Sequence, residues 1–171
     1  MLKIYLTNLG KYNEGQLVGE WVELPVTEEE LEKVFERIGI NEVYEEYFIT
    51  DYECDFGYQV GEYESLESLN ELAETLDELE EDEERVVKAA IEYGYTLDEA
   101  IETANNGDYR IYYNCNDMTD IAYQVVEECG YLDKVPETVS RYFDYESFGR
   151  DLGIEGTFIF LEDGDCIELI R

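Results

Sequence analysis

Hydrophobic positions near the start of the chain recur at every second residue, which is the period of a half-buried strand. Leu2, Ile4 and Leu6 alternate with polar or mixed residues. After a loop that contains Gly and Asn, residues 17–24 form a second β-rich run, and Pro25 ends it. The pattern predicts two strands joined by a loop.

The spacing then changes to that of a helix. Thr27, with Glu30 three residues later, forms a capping box that predicts a helix start. Gly39 predicts the helix end, and residues 44–52 predict a third strand. Residues 1–61 therefore predict a small α+β unit. The apolar positions of the helix, spaced i, i+3, i+4, i+7, are Leu31, Val34, Phe35 and Ile38.

Residues 62–103 show helical periodicity throughout. A second helix is predicted over residues 84–93, and a capping box of Thr96 and Glu99 opens a third helix that closes near Gly107. One stripe of the first helix is apolar and consists of Leu66, Leu69, Leu72, Ala73, Leu76 and Leu79. The opposite side carries Glu67, Glu71, Glu74, Glu78 and Glu81.

The C-terminal part returns to mixed structure. Residues 109–114 predict a strand and residues 118–128 an amphipathic helix. Residues 157–162 and 166–170 flank Asp163-Gly164-Asp165, which predicts a hairpin. The same acidic turn could also suggest a calcium site, but the twelve-residue loop and terminal Glu of an EF-hand are missing.

The predicted fold class is α+β, arranged as an elongated chain of three small subdomains. Residues 1–61 form an antiparallel sheet plus a helix, residues 62–103 a central acidic helical piece, and residues 104–171 helices plus an antiparallel hairpin or sheet. The net charges of the three parts are −10, −14 and −10. The acidity is therefore spread over the chain and is densest in the middle.

Charge is the outlying property of the 171-residue chain. It has 45 acidic and 11 basic residues, for a net charge of −34, whereas a magnitude of roughly 2 to 8 is usual for a small domain. With 44% apolar residues the chain can still form a core. Such a negative field repels nucleic acid and anionic membranes and attracts proteins with basic grooves. We therefore expect no nucleic-acid partner and no membrane partner.

The residues of nucleophilic catalysis and metal binding are sparse. Histidine is absent, which removes Ser-His and Cys-His catalysis. The four cysteines, Cys54, Cys115, Cys129 and Cys166, lack the C-x-x-C spacing of zinc or redox sites, and the N-terminus resembles neither a signal peptide nor a membrane span. We expect a cytoplasmic protein with free thiols that is not an enzyme and has no cofactor, metal or catalytic residue. Glycosidase-like carboxylate pairs carry no information among so many acids.

The stretch EYESLESLNELAETLDELEEDEE, residues 62–84, contains twelve carboxylates and no Lys or Arg. A solvated helix face usually mixes signs, because Glu–Lys pairs at i,i+4 stabilise it by roughly 0.2–0.5 kcal/mol each and like pairs destabilise it similarly. Glu67/Glu71 and Glu74/Glu78 are like pairs. Two interpretations stay open: an ordinary solvated face, and a helix whose charge is its function.

The functional interpretation is that the acids imitate a phosphate backbone. Duplex DNA carries one charge per roughly 1.7 Å of axis, so 34 net charges correspond to roughly 58 Å of duplex. Carboxylates at i,i+3 or i,i+4 stand about 5–6 Å apart at their β-carbons, the scale of successive phosphates. The candidate partner-binding carboxylates are Glu62, Glu64, Glu67, Glu71, Glu74, Asp77, Glu78, Glu80, Glu81, Asp82, Glu83, Glu84, Glu92, Asp98, Glu99 and Glu102.

Several stretches resemble the ArdA antirestriction proteins, which are encoded on conjugative plasmids and transposons. They are NLGKYNEGQLVGEW (8–21), NDMTDIAYQVVEECG (116–130) and YFDYESFGRDLGIEGTF (142–158). The segment KAAIEYGYTLDEAIETANNGDYRIY (88–112) resembles the family's antirestriction motif. The similarity runs over essentially the whole chain, but the acidic helix matches only in character, so no Glu there takes a role by correspondence.

The resemblance implies a DNA mimic without catalysis or cofactor. ArdA proteins are elongated, curved dimers of three small domains that occupy the DNA groove of type I restriction–modification enzymes. They act chiefly at the methyltransferase core and so protect incoming DNA of a mobile element during conjugative transfer. The homodimer and the target enzyme are implied by the resemblance alone. The alternatives are a mimic directed at another DNA-binding protein and a salt-adapted acidic protein whose charge serves solubility.

Overall fold

The computed structural model describes residues 1–170 and confirms the α+β class. The strands are β1 (Leu2–Asn8), β2 (Gly19–Leu24), β3 (Tyr47–Cys54), β4 (Tyr109–Tyr112), β5 (Thr157–Phe160) and β6 (Cys166–Leu169). The helices are α1 (Leu9–Asn13), α2 (Glu28–Ile38), α3 (Leu66–Asp77), α4 (Glu81–Tyr93), α5 (Leu97–Asn106), α6 (Met118–Glu128), α7 (Glu137–Ser140) and α8 (Tyr145–Glu155).

The chain divides into two compact units. Unit 1 is Met1–Glu81, and unit 2 begins at Asp82. The acidic helix α3 therefore belongs to unit 1, whereas α4 and α5 belong almost wholly to unit 2. The three-part division into residues 1–61, 62–103 and 104–171 stays a prediction.

Unit 1 is built on an antiparallel sheet with the order β2-β1-β3. The predicted alternation places Leu2, Ile4 and Leu6 of the central strand in the core, each at most 2% exposed. Asn8 ends this strand fully buried, and its amide donates hydrogen bonds to the Ile38 and Gly39 carbonyls. Because those carbonyls lie at the end of α2 and lack intrahelical partners, Asn8 joins the sheet to that helix.

Helix α2 follows its sequence signals at both ends. The Thr27 hydroxyl accepts from the Glu30 N–H, and Gly39 ends the helix with φ +80°. Only the Thr27 half of the predicted capping box is present, and the Glu30 carboxylate pairs with Lys33. Val34 is buried against the sheet core.

Unit 2 contains the second antiparallel sheet, with the order β4-β6-β5. The predicted hairpin of β5 and β6 is confirmed. Helix α6 has the predicted bounds and packs on α8. The sequence pattern did not predict α8, which contains two glycines. One of them, Gly149, is required by packing, because a β-carbon there would collide with the Met118 carbonyl.

Candidate partner-binding surface

Burial of its leucines fixes α3 on unit 1. Leu69 is fully buried, Ala73 is 2% exposed and Leu76 is 7% exposed. Burying one leucine side chain contributes about 1.5–3 kcal/mol, whereas one like-charge pair at i,i+4 costs about 0.2–0.5 kcal/mol. The apolar stripe therefore holds the helix together in spite of its charge.

The opposite face of α3 displays carboxylates without a cation. Glu67, Glu71, Glu74 and Asp77 are exposed. Among residues 1–170, no lysine or arginine forms an ion pair with any of them. Glu74 and Asp77 also occupy the last turn, which has no basic residue and where the helix dipole disfavours negative charge. Glu67 lies in the first turn, where the dipole favours negative charge, but the dipole does not explain Glu71, Glu74 or Asp77, and ion pairing explains none of the four.

An acid-rimmed cleft of about 390 Å³ runs along this face of α3. Val26, Leu31 and Leu66 give it an apolar side. Its acidic side combines the α3 carboxylates with one from the start of α2: Glu28, Glu67, Glu71 and Glu74. Asn70 completes the lining. Glu28 is not among the predicted site residues, and no local signal places it near residues some forty positions later.

The start of α4 is in a different environment, because Arg85 lies between its Asp82 and two aspartates of the β5–β6 turn. Its guanidinium contacts the Asp82 carboxylate at 3.5 Å, Asp163 at 2.9 Å and Asp165 at 2.7 Å. Asp165 is 17% exposed and also accepts the Asn114 N–H. That backbone hydrogen bond, followed by Arg85, holds the pKa of Asp165 below its usual range. The acidic turn thus neutralises an arginine of its own unit.

Several other predicted carboxylates also have partners inside the protein. Glu84 pairs with Lys88 one turn later. Glu99 closes the predicted capping box: it accepts the Thr96 N–H and hydroxyl, and these two hydrogen bonds lower its pKa. Glu64 accepts from the Tyr58 hydroxyl at 2.5 Å in the loop before α3. These contacts stabilise local structure.

The sixteen predicted site residues therefore lie in unequal settings. Twelve are exposed: Glu62, Glu67, Glu71, Glu74, Asp77, Glu78, Glu80, Glu81, Glu92, Asp98, Glu99 and Glu102. Four are half-buried: Glu64, Asp82, Glu83 and Glu84. Glu102 lines a second cleft of about 390 Å³ in unit 2, together with Glu99 and Asp108. Asp108 was also not predicted. The binding role of these residues stays a prediction.

Among residues 1–170, no helix combines the length and apolar content needed to cross a bilayer. Over the same residues, no group of three or more His, Cys, Asp and Glu side chains has an arrangement that could hold a metal ion.

Comparison with known proteins identifies a family. The family model described as antirestriction protein (ArdA) matches residues 4–166, nearly the whole chain. A search of curated proteins found no match.

Proposed function

The chain belongs to the ArdA family of antirestriction proteins, and from that premise we propose that it inhibits restriction by mimicking DNA. Its carboxylates occupy the Lys/Arg phosphate sites of a type I restriction–modification enzyme, at the methyltransferase core. The enzyme is then kept from incoming DNA of a mobile element. The inhibitor acts in the cytoplasm and without catalysis.

The observation that carries the proposal is the unpaired acidic face of α3. Glu67, Glu71 and Glu74 repel one another without a cation in the described chain, and a single lysine at i,i+4 would relieve the repulsion. A basic groove supplies the missing cations. Because the attraction is electrostatic, complex formation is steered by charge and weakens as salt screens it.

We further propose that the inhibitor is a homodimer. Large apolar side chains stand exposed on unit 2, among them Tyr142 at 80%, Ile154 at 76% and Val139 at 57%. A second copy that covers them would remove this surface from water. Sedimentation equilibrium is the measurement, and a monomer at micromolar concentration would contradict the dimer.

Displacement of DNA tests the function. The protein is titrated against a type I enzyme bound to fluorescent DNA, at graded salt from 50 to 300 mM. We expect displacement at low salt, with a midpoint that moves to higher inhibitor concentration as salt rises. DNA that stays bound at low salt with inhibitor in molar excess would contradict the proposal. A non-family acidic protein of similar charge is the control, because it separates mimicry from bulk charge.

A further inference from the structure

The acid-rimmed cleft of unit 1 has a property that imitation of phosphates does not require. A phosphate backbone offers a basic partner negative charge and hydrogen-bond acceptors. The cleft offers these and also apolar surface from Val26, Leu31 and Leu66. Apolar surface beside carboxylates suits a ligand that is itself part hydrocarbon and part cation.

The apolar side of the cleft is held in place before any partner arrives. Val26, Leu31 and Leu66 pack with their other surfaces against the core of unit 1. Asn70 of α3 fixes the entry to α2 through two hydrogen bonds: its carbonyl accepts the Val26 N–H at 2.7 Å, and its amide donates to the Val26 carbonyl at 3.1 Å. A pre-formed site loses less entropy on binding.

The acidic side of the cleft is not neutralised by its neighbours. No lysine or arginine is among its lining residues. The two cations of α2 are paired elsewhere: Lys33 contacts Glu29 at 2.9 Å and Glu30 at 3.3 Å, and Arg37 contacts Glu20 at 2.8 Å. The four lining glutamates therefore face whatever enters the cleft.

We propose that this cleft binds an arginine side chain presented by the basic protein surface that the inhibitor covers. The three-carbon stem of arginine lies along the leucines, and its guanidinium donates to the surrounding carboxylates in pairs. Arginine fits better than lysine, because its planar guanidinium is more weakly hydrated and matches carboxylates bidentately. The volume falls within the range of about 300–1,000 Å³ typical of small-ligand pockets.

This inference rests on the proposed function only for the identity of the partner, a type I enzyme. It adds a localised anchor to a surface that otherwise acts through distributed charge. Arginines that fill a pocket at the centre of an interface commonly dominate binding energy. Binding at the cleft is therefore expected to resist salt better than binding elsewhere on the acidic surface.

A small-molecule probe tests the cleft without any enzyme. Backbone amide shifts of the full chain are followed by NMR during titration with n-butylguanidinium chloride and, separately, with guanidinium chloride at the same ionic strength. We expect the largest shifts at Val26, Leu31 and residues 66–74, and at least about fourfold tighter binding of the butyl compound, the gain for one buried methylene. Equal affinities, or shifts spread evenly over acidic surfaces, would overturn the proposal.

Matched triple variants test the cleft in the complex. Glu67→Gln/Glu71→Gln/Glu74→Gln removes three charges from the lining, and Glu62→Gln/Asp77→Asn/Glu78→Gln removes three exposed charges outside it. We expect the first variant to lose at least tenfold more potency against the enzyme than the second, and to lose the butylguanidinium preference. Equal losses of potency would overturn the cleft as an anchor. A wild-type protein that does not inhibit the enzyme rejects the proposed function instead, while the NMR result still decides the cleft.

Discussion

The acidic segments of α3 and of the start of α4 are similar in sequence, but their carboxylates lie in opposite environments. On α3, the exposed carboxylates Glu67, Glu71 and Glu74 have no ion pair among the described residues. In unit 2, Arg85 lies between Asp82 of α4 and the two aspartates of the β5–β6 turn. A count of acidic residues therefore overstates the charge that is available to a partner. Carboxylates that stabilise the inhibitor's own fold are partly neutralised before the partner arrives.

The two regions also differ in what maintains them. Helix α3 is held by apolar burial, so its charges are dispensable for folding and even oppose it. The start of α4 is tied to the turn by ion pairs, so its charges take part in folding. Substitutions should therefore separate the two regions by the sign of their effect on stability.

Loss of apolar burial on α3 should have the largest effect. Leu69→Ala removes a side chain with no exposed surface, and a buried leucine replaced by alanine typically costs about 2–5 kcal/mol. We expect a loss in that range in the free energy of unfolding, measured with urea. Leu79→Ala is the control, because Leu79 is half-buried and lies beyond the end of α3. A loss at Leu69 no larger than that at Leu79 would show that packing does not hold the helix.

Removal of the central cation of unit 2 should come next. Arg85→Gln leaves Asp165, which is only 17% exposed, without its charged partner. We expect a loss of about 1.5–3 kcal/mol, the usual value of a hydrogen bond to a charged group. Lys33→Gln on the exposed surface of α2 should lower the free energy of unfolding clearly less, because Lys33 and its partner Glu29 are both exposed to water. Similar losses at the two positions would contradict the distinction between structural and displayed charge.

Alkaline pH should weaken unit 2 through its buried thiols. Burial raises the pKa of Cys166 to about 12 and also raises the pKa of Cys115, whereas an unfolded thiol ionises near about 8.5. For Cys166 the stabilisation is complete below about pH 8.5 and falls by about 1.4 kcal/mol of unfolding free energy per pH unit as pH rises from there toward 12. Cys115, whose pKa is also raised, contributes a loss in the same direction.

Unfolding by urea between pH 8 and 10.5 measures this effect. Cys166→Ala should unfold with a shallower pH dependence than the wild type. Comparison of slopes separates ionisation from the packing loss that the substitution causes at every pH. Parallel curves for the two proteins would exclude the thiol as the origin of the alkaline loss.

Relief of repulsion on α3 should give the smallest change, and in the opposite direction. Glu71→Gln/Glu74→Gln should raise stability by a few tenths of a kcal/mol for each like pair removed, while Glu67 stays in the first turn, where the helix dipole favours it. The melting temperature of the wild type should rise between 20 and 150 mM salt, because screening shortens the Debye length to about 8 Å. The melting temperature of the double variant should rise less with salt than that of the wild type. A wild-type melting temperature that falls with salt would show that paired charges dominate.

Elements whose signals lie within a few residues of one another could be predicted from the sequence. The ends of α2 and α5 follow from Thr27, Gly39, Thr96 and Gly107, because a capping side chain and its backbone partner lie within a few residues of each other. The helical spacing of apolar residues predicted α6, and the turn residues between the last two strands predicted the β5–β6 hairpin. The net charge, the absence of histidine and the family resemblance could also be recognised without knowledge of the fold.

Which carboxylates form ion pairs inside the protein depends on contacts between distant parts of the chain. Arg85 meets Asp163 and Asp165 from 78 and 80 positions away, and Glu28 joins the acids of α3 in one cleft. Helix α8 likewise depends on contact between Gly149 and the start of α6. The physical reason is that ion pairing and burial depend on distance in space and on exclusion of water. A linear pattern gives the number of charges, and the packed chain sets which of them remain unpaired.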